Sequence, residues 1–245
     1  MIKKITIREL TVSYNLKPVL WDIDLDIEQG SLCAIIGPNG AGKSTLIKTM
    51  LQLIKKVSGE VLFYDQTYDQ MRKKIAYVPQ RNSVDWDFPT TVLDVVLMGR
   101  YGKLGWFRRP TLEDKKIALE SLDKVGMIDF KNRQISELSG GQQQRIFLAR
   151  ALAQEGEIYL MDEPFQGIDI QTEKKIIEIL KDLQKQNKTI LVVHHDLETV
   201  SDYFDQVILL NIKKIASGSV KEVFNKENIQ KTYLDKSLKN INLDK

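Results

Sequence analysis

Nine consecutive residues, Gly37-Pro38-Asn39-Gly40-Ala41-Gly42-Lys43-Ser44-Thr45, have types and spacing suited to binding phosphate. They fit the pattern G-x-x-x-x-G-K-S/T, in which glycines let successive backbone amides converge on phosphate oxygens. Lys43 supplies a compact cation for β- and γ-phosphates, and the Ser44 hydroxyl is placed to ligand magnesium. The flanks fit as well. The apolar run Leu32 to Ile36 leads into the loop, and Leu46, Ile47, Met50, Leu51 and Ile54 follow at helical spacing. A helix start adds partial positive charge toward an anion.

A second stretch, Ile158-Tyr159-Leu160-Met161-Asp162-Glu163, is an apolar strand ending in two carboxylates, at the sheet edge where open α/β folds bind ligands. Asp162 is a candidate for the magnesium shell. Glu163 is a candidate general base, an effect worth about 10²–10⁴ in rate. Acidic pairs at strand ends also serve as helix caps or solvated turns, so by itself this pair leaves both readings open. A third stretch is Leu138-Ser139-Gly140-Gly141-Gln142-Gln143-Gln144-Arg145, followed by Ile146, Leu148, Ala149 and Leu152 on a helical period. Ser139 suits an N-cap, and amides at Gly140 and Gly141 would give a second phosphate-binding helix start.

The elements that must position these groups follow from the hydrophobic period. Trp21, Ile23, Leu25 and Ile27 alternate with Asp22, Asp24 and Asp26, which predicts a strand with one wet face over Val19 to Ile27, antiparallel to its neighbour. Strands are predicted at Glu60 to Tyr64, Lys74 to Val78, Ile158 to Met161, Thr189 to Val193 and Gln206 to Leu210. From Arg81 to about Glu155 the chain reads as mainly helical: Thr111 with Asp114 forms a capping-box start, Ile117, Ala118, Leu122 and Val125 a stripe, and Gly126 a stop. Alternating buried strands and helices imply a parallel sheet layered by helices, with the helical stretch inserted. After Ser219 and Glu222, a further capping-box pair, periodicity fades into a surface helix and frayed tail.

The charge of +3, from 36 basic and 33 acidic residues among 245, gives no general reason to expect nucleic acid. The single cysteine, Cys33, lies in an apolar run and reads as a buried thiol that fits a reducing compartment. No signal peptide or run of roughly 18 apolar residues is seen, so the chain is expected to stay in the cytoplasm without spanning a membrane. Two adjacent histidines and one cysteine do not make a transition-metal ligand set.

Taken in order, the three chemical stretches resemble the Walker A, signature and Walker B sequences of the ATP-binding cassette (ABC) family, and the likeness runs from Ile5 to about Phe224. The resemblance implies a P-loop NTPase of α/β class, with a layered, mainly parallel sheet, an antiparallel β subdomain and an inserted helical subdomain. It implies one domain: a nucleotide-binding core over 1–81 and 156–225, a helical signature subdomain over 82–155 and a tail over 226–245. Further positions match family motifs: Tyr14 stacks on adenine, Gln80 joins Ser44 and Asp162 around magnesium, Asp169 reaches across a dimer, and His195 touches the γ-phosphate. Alone, an exposed-strand tyrosine such as Tyr14 reads more often as plain packing. Phe165 and Gln166 replace the small residues often found before Asp169, and His194 takes only a structural role.

The family clasps ATP between the Lys43 loop of one copy and the Ser139 to Gln142 segment of a second. ATP and Mg2+ are therefore the expected ligands. The expected partners are a second copy, integral membrane permease subunits and, indirectly, an extracytoplasmic metal-binding protein, but no nucleic acid. The expected location is the inner face of the cell membrane. Residues Val84 to Val92, Met98 to Gly102 and Gly105 to Pro110 resemble the permease-contacting region of manganese, zinc or iron importers. Aromatic and Arg clustering suits a partner surface, although a core tryptophan cluster or a lipid-contacting patch has the same composition. A soluble ABC protein acting on nucleic acid or ribosomes, a cassette for another cargo and a phosphate-loop kinase are the alternatives. The first would carry long coiled-coil insertions or two cassettes, and the last would lack the signature.

Overall fold

The computed structural model describes residues 3–14, 17–84, 86, 88–104 and 109–234. These form two compact units, one up to Arg72 together with the chain from Thr189 onward, the other Lys73–Lys188. The first unit opens with β1 (Lys4–Tyr14), β2 (Lys17–Glu28), β3 (Leu32–Ile36), α1 (Lys43–Met50), β4 (Ser58–Phe63) and α2 (Tyr68–Met71). The second comprises β5 (Ile75–Val78), α3 (Val92–Met98), α4 (Tyr101–Leu104), α5 (Leu112–Lys124), α6 (Gly140–Ala153), β6 (Ile158–Asp162) and α7 (Ile170–Lys185). The chain then completes the first unit with β7 (Thr189–Val193), α8 (Val200–Tyr203), β8 (Gln206–Asn211), β9 (Lys213–Ser219), α9 (Val220–Val223) and α10 (Lys226–Leu234).

In the first unit β2, β1 and β4 form an antiparallel sheet in that order, with Ile5 opposite Ile27 and Ile7 opposite Leu25. The buried face of β1 switches parity, from Ile5 and Ile7 to Leu10 and Val12. A bulge at Glu9, with φ 48°, inserts the extra residue. Asp22, at φ 50°, does the same in β2, so Leu20 is buried and Trp21 is only half-buried. The expected alternation holds from Ile23 to Ile27 and fails at Trp21.

All five residues of β3 are buried because it lies between parallel β7 and β8, with β9 antiparallel beyond β8. Its Cys33 is enclosed there, and burial pushes the thiol pKa up, which leaves it unreactive. At the C-terminal end, the Ser219 hydroxyl bonds the Glu222 carboxylate at 2.9 Å instead of capping the backbone. A surface helix fading into a frayed tail was expected there. The chain instead makes α9, breaks, and starts α10, and residues 235–245 of the expected tail lie outside the described ones.

In the second unit β5 and β6 run parallel, Val78 beside Met161. Helices α3, α5 and α6 pack on one another, and α6 buries Ile146, Phe147, Leu148, Ala149 and Leu152. The Thr111–Asp114 capping box forms, and Gly126 ends α5 at φ 66°. Arg100 ties the cluster together. It is only 6% exposed, and its guanidinium bonds Asp114 at 2.9 Å, the Ala153 carbonyl at 2.7 Å and Glu155 at 2.6 Å. Arg100 was expected on a partner surface; its charge is instead used inside the helical cluster. No helix of the described residues is long and apolar enough to cross a membrane.

Candidate functional site

The predicted phosphate loop sits in the first unit between the ends of β3 and α1, and contacts with main chain hold it in shape. A Cβ on Gly37 would lie 2.0 Å from the Leu210 carbonyl oxygen, and one on Gly42 would lie 2.6 Å from the Val19 carbonyl oxygen. Gly42 is also at φ 94°, in the left-handed region that side chains avoid. Ile212 donates its amide to the Ala41 carbonyl at 3.0 Å, which ties the loop to the chain after β8. Lys43 is buried, and its ammonium donates to the carbonyls of Gly37 (2.7 Å) and Pro38 (2.9 Å). Ser44 and Thr45 occupy the first turn of α1, while Asn39 and Gly40 form an exposed tip.

In the second unit the parallel pairing of β5 and β6 puts their C-terminal ends side by side, which brings Gln80 and Glu163 together across 83 positions of sequence. Gln80 Nε2 donates to Glu163 Oε2 at 2.9 Å. Asp162 is fully buried at the end of β6. Glu163 stands one residue on at φ 53°, a left-handed conformation uncommon outside glycine that costs about 1–3 kcal/mol and redirects its carboxylate away from the strand's alternation. Strain of this kind concentrates at functional positions.

Ser139 caps α6. Its hydroxyl accepts from the Gln142 amide at 3.4 Å, and Gln142 Oε1 accepts from the Ser139 amide at 2.9 Å. A Cβ on Gly141 would stand 2.6 Å from the Gly167 carbonyl oxygen, so this helix start is packed on the turn before α7. Asp169 caps α7 through the Thr172 amide (3.0 Å) and hydroxyl (2.7 Å), and these bonds, the amide first, hold its carboxyl below the usual range. One residue here went unnoticed in the sequence. The Arg81 guanidinium lies over Gly140, where a Cβ would meet it at 2.4 Å, and Arg81 Nε donates to Gln143 at 3.3 Å. An arginine in a polar stretch without periodicity carries no signal of such a contact.

Of the other expected positions in the first unit, Tyr14 ends β1 opposite Lys17 with half of its surface exposed, 50%, and His195 is exposed just past β7. His194 is buried. In the expected partner region of the second unit, Trp86 is half-buried: its ring stands edge-on to Phe147 with centroids 4.9 Å apart, and its nitrogen donates to the Arg81 carbonyl. Arg150 lies over the other ring of that pair, 4.2 Å from the Phe147 centroid. Phe88, at 60%, and Tyr101 are exposed, whereas Asp85, Asp87 and residues 105–108 lie outside the described residues.

A family model described as "ABC transporter" matches residues 20–166. The chain is 58% identical over 224 residues, 91% of its length and 90% of the relative's, to the manganese transport system ATP-binding protein MntB of Bacillus subtilis (strain 168). It is 56% identical over 229 residues, 94% of its length and 86% of the relative's, to the zinc transport system ATP-binding protein TroB of Treponema pallidum (strain Nichols). Among solved structures, an ATP-binding cassette captured as a dimer in a post-hydrolysis state with ADP and Pi aligns with a TM-score of 0.76. It is 29% identical over 88% of this chain and 98% of that one. The family model spans the phosphate loop, the signature helix start and the paired carboxylates, and relatives more than half identical extend the match over nine-tenths of the sequence; the chain belongs to the ABC transporter family.

Proposed function

We propose that this chain is the ATP-binding and ATP-hydrolysing subunit of a membrane transporter that imports a divalent transition metal ion, manganese, zinc or iron. The observation that carries the cargo is the identity of 56% and 58%, over nine-tenths of the chain, to subunits named for zinc and manganese transport. The proposed organisation is a nucleotide core over 1–81 and 156–225, a helical signature region over 82–155 and a tail over 226–245.

The loop from Gly37 to Thr45 fits a triphosphate, because Gly40 and Gly42 take positive φ that lets successive amides converge on phosphate oxygens at the start of α1. Lys43, already turned over the loop, would transfer its bonds from carbonyls to phosphates and offset their charge. Ser44, Asp162 and Gln80 would hold magnesium, which when bound draws charge from the phosphates. Glu163 would take the proton of the attacking water; its contact with Gln80 supports this by showing a carboxylate aimed by an amide donor. His195 would contact the γ-phosphate and Tyr14 would stack on adenine. Ser139, Gly140, Gly141 and Gln142 would close on a nucleotide held by a second copy, with Asp169 reaching across. Permease subunits would hold the pair at the cytoplasmic face, and an extracytoplasmic metal-binding protein would deliver the cargo to them.

Glu163→Gln is expected to lower ATP turnover about 10²–10⁴-fold while ATP still binds and a nucleotide-dependent dimer accumulates on size exclusion. Turnover equal to the unmodified chain would remove the role of Glu163. The cargo is tested separately: cells lacking this subunit are expected to lose accumulation of radiolabelled manganese or zinc, and unchanged uptake of manganese, zinc and iron alike would refute metal import.

A further inference from the structure

Beside the exposed His195 lies a buried histidine to which the proposed chemistry gives no task. β7 ends at Val193, yet the His194 amide still donates to the Ile35 carbonyl at 3.1 Å, so the main chain stays tied to β3 for one residue more. Strand alternation then sends successive side chains to opposite sides. His194 is 4% exposed, whereas His195 faces solvent.

The His194 ring is held from two directions. Phe204 and Tyr203 pack against it with centroids 5.2 and 6.2 Å away. Its Nε2 lies 2.8 Å from the Thr199 hydroxyl, which in turn lies 3.0 Å from Asp196 Oδ2 and 3.3 Å from the Asp196 carbonyl. A hydroxyl has one proton, and both Asp196 oxygens can only accept. Thr199 therefore donates toward Asp196 and accepts from His194, which places a proton on Nε2. Burial first, with His195 adding to it against the opposing pull of Asp196, pushes the imidazole pKa down to about 4, so the ring is neutral near pH 7. Asp196 also accepts from the Glu198 amide at 2.9 Å. A chain of bonds from His194 through Thr199 to Asp196 thus closes the turn, and His195 stands inside it.

We propose that His194 is a positioning residue for His195: its ring, anchored on Thr199, fixes the turn that presents the exposed histidine to the terminal phosphate. This rests on the role proposed above for His195. A loosened turn would still let ATP bind through the phosphate loop but would misplace one group at the reacting end, a loss that falls on kcat.

The test is steady-state ATP hydrolysis by the full chain with His194→Phe, which keeps the ring's bulk and removes the donor. His194→Gln returns an amide N–H near the Nε2 position. The first is expected to lower kcat about tenfold with KM for ATP changed by less than about twofold, and the second to restore at least about half of the rate. Thr199→Val, which removes the acceptor from outside the core, should reproduce the loss should His194→Phe fold poorly. Placed on His195→Ala, His194→Phe should add no further loss. Full activity in both His194→Phe and Thr199→Val, or losses that multiply in the double variant, would overturn the inference. Wild-type turnover by His195→Ala alone would instead remove the role of His195 itself, and the two failures are told apart by that single variant.

Discussion

The phosphate loop of the first unit and the signature helix start of the second are both glycine-rich segments opening a helix, yet they are held by different means. Around Gly37 and Gly42 the walls include main-chain carbonyls of Leu210 and Val19, which belong to strands, with the Leu20 side chain beside the second. Lys43 is braced on carbonyls as well. Around Ser139 and Gly140 the restraints are side chains, Gln142 closing on Ser139 and Arg81 lying over Gly140 with a bond to Gln143, although the next residue, Gly141, meets main chain at the Gly167 carbonyl. A cradle made of backbone is preformed, whereas one made of side chains can be re-set when neighbouring segments move. The difference assigns the fixed geometry to the loop expected to bind ATP first, and the adjustable geometry to the segment expected to close on it.

The largest effect should come from removing the side-chain brace on which the second unit depends. Arg100→Ala would leave Asp114 buried without its cation, and breaking such a pair costs about 3–5 kcal/mol. Denaturant unfolding of the purified chain measures it; a loss below about 1 kcal/mol would show that side chains matter less here than the contacts imply. The same network predicts an acid limb. Bonds from the Thr111 hydroxyl and amide, then Arg100, hold the Asp114 pKa down to about 2. A depressed folded-state value means that this stability is present above the ordinary carboxylate pKa of about 4 and fades as pH falls toward 2. Asp114→Asn should flatten the stability profile between those values.

The two glycines provide the direct comparison. Gly37→Ala drives a methyl group into the Leu210 carbonyl oxygen at 2.0 Å, and forced overpacking costs about 1–3 kcal/mol or more together with the loop's affinity for ATP. Gly140→Ala meets only the Arg81 guanidinium, at 2.4 Å, which can swing aside. Its cost should stay within about 1 kcal/mol and shrink further on an Arg81→Ala background. Thermal melts with and without ATP separate the cases, and equal penalties at both positions would erase the distinction between backbone-held and side-chain-held cradles.

How far each region was legible in sequence follows from the same physics. β3 and β7 fall on the expected boundaries, because strands buried on both faces are written as unbroken apolar runs. The shape of the Gly37 to Thr45 loop was legible because main-chain geometry is written in glycine. β1 was not anticipated as a strand, since its bulge at Glu9 breaks the alternation that marks one. β9 was missed too: Lys213 to Ser219 is half-exposed and polar, and its extension comes from pairing with β8. Arg100 looked like surface because an arginine's partners are invisible until α5 and the end of α6 are brought to it. The Gln80 to Glu163 contact and the seat of Arg81 on Gly140 depend likewise on segments distant in sequence.

The smallest effect expected is the most specific. The Ser139 hydroxyl accepts the Gln142 amide at a long 3.4 Å, so its capping contribution belongs at the lower end of the usual range, about 0.5–1 kcal/mol. Thr91→Ala removes a comparable cap outside that segment, the Thr91 hydroxyl that accepts the Asp94 amide at 3.2 Å at the start of α3, and should cost a similar amount. Were capping the whole task of Ser139, the two variants would behave alike in every assay. The proposed dimer makes them differ: the Ser139 hydroxyl faces the nucleotide of the second copy, so on the Glu163→Gln background Ser139→Ala should weaken ATP-driven dimerisation well beyond its stability cost. Analytical ultracentrifugation over an ATP titration reads this directly. Matched dimerisation and matched stability in Ser139→Ala and Thr91→Ala would leave the helix start as an ordinary cap.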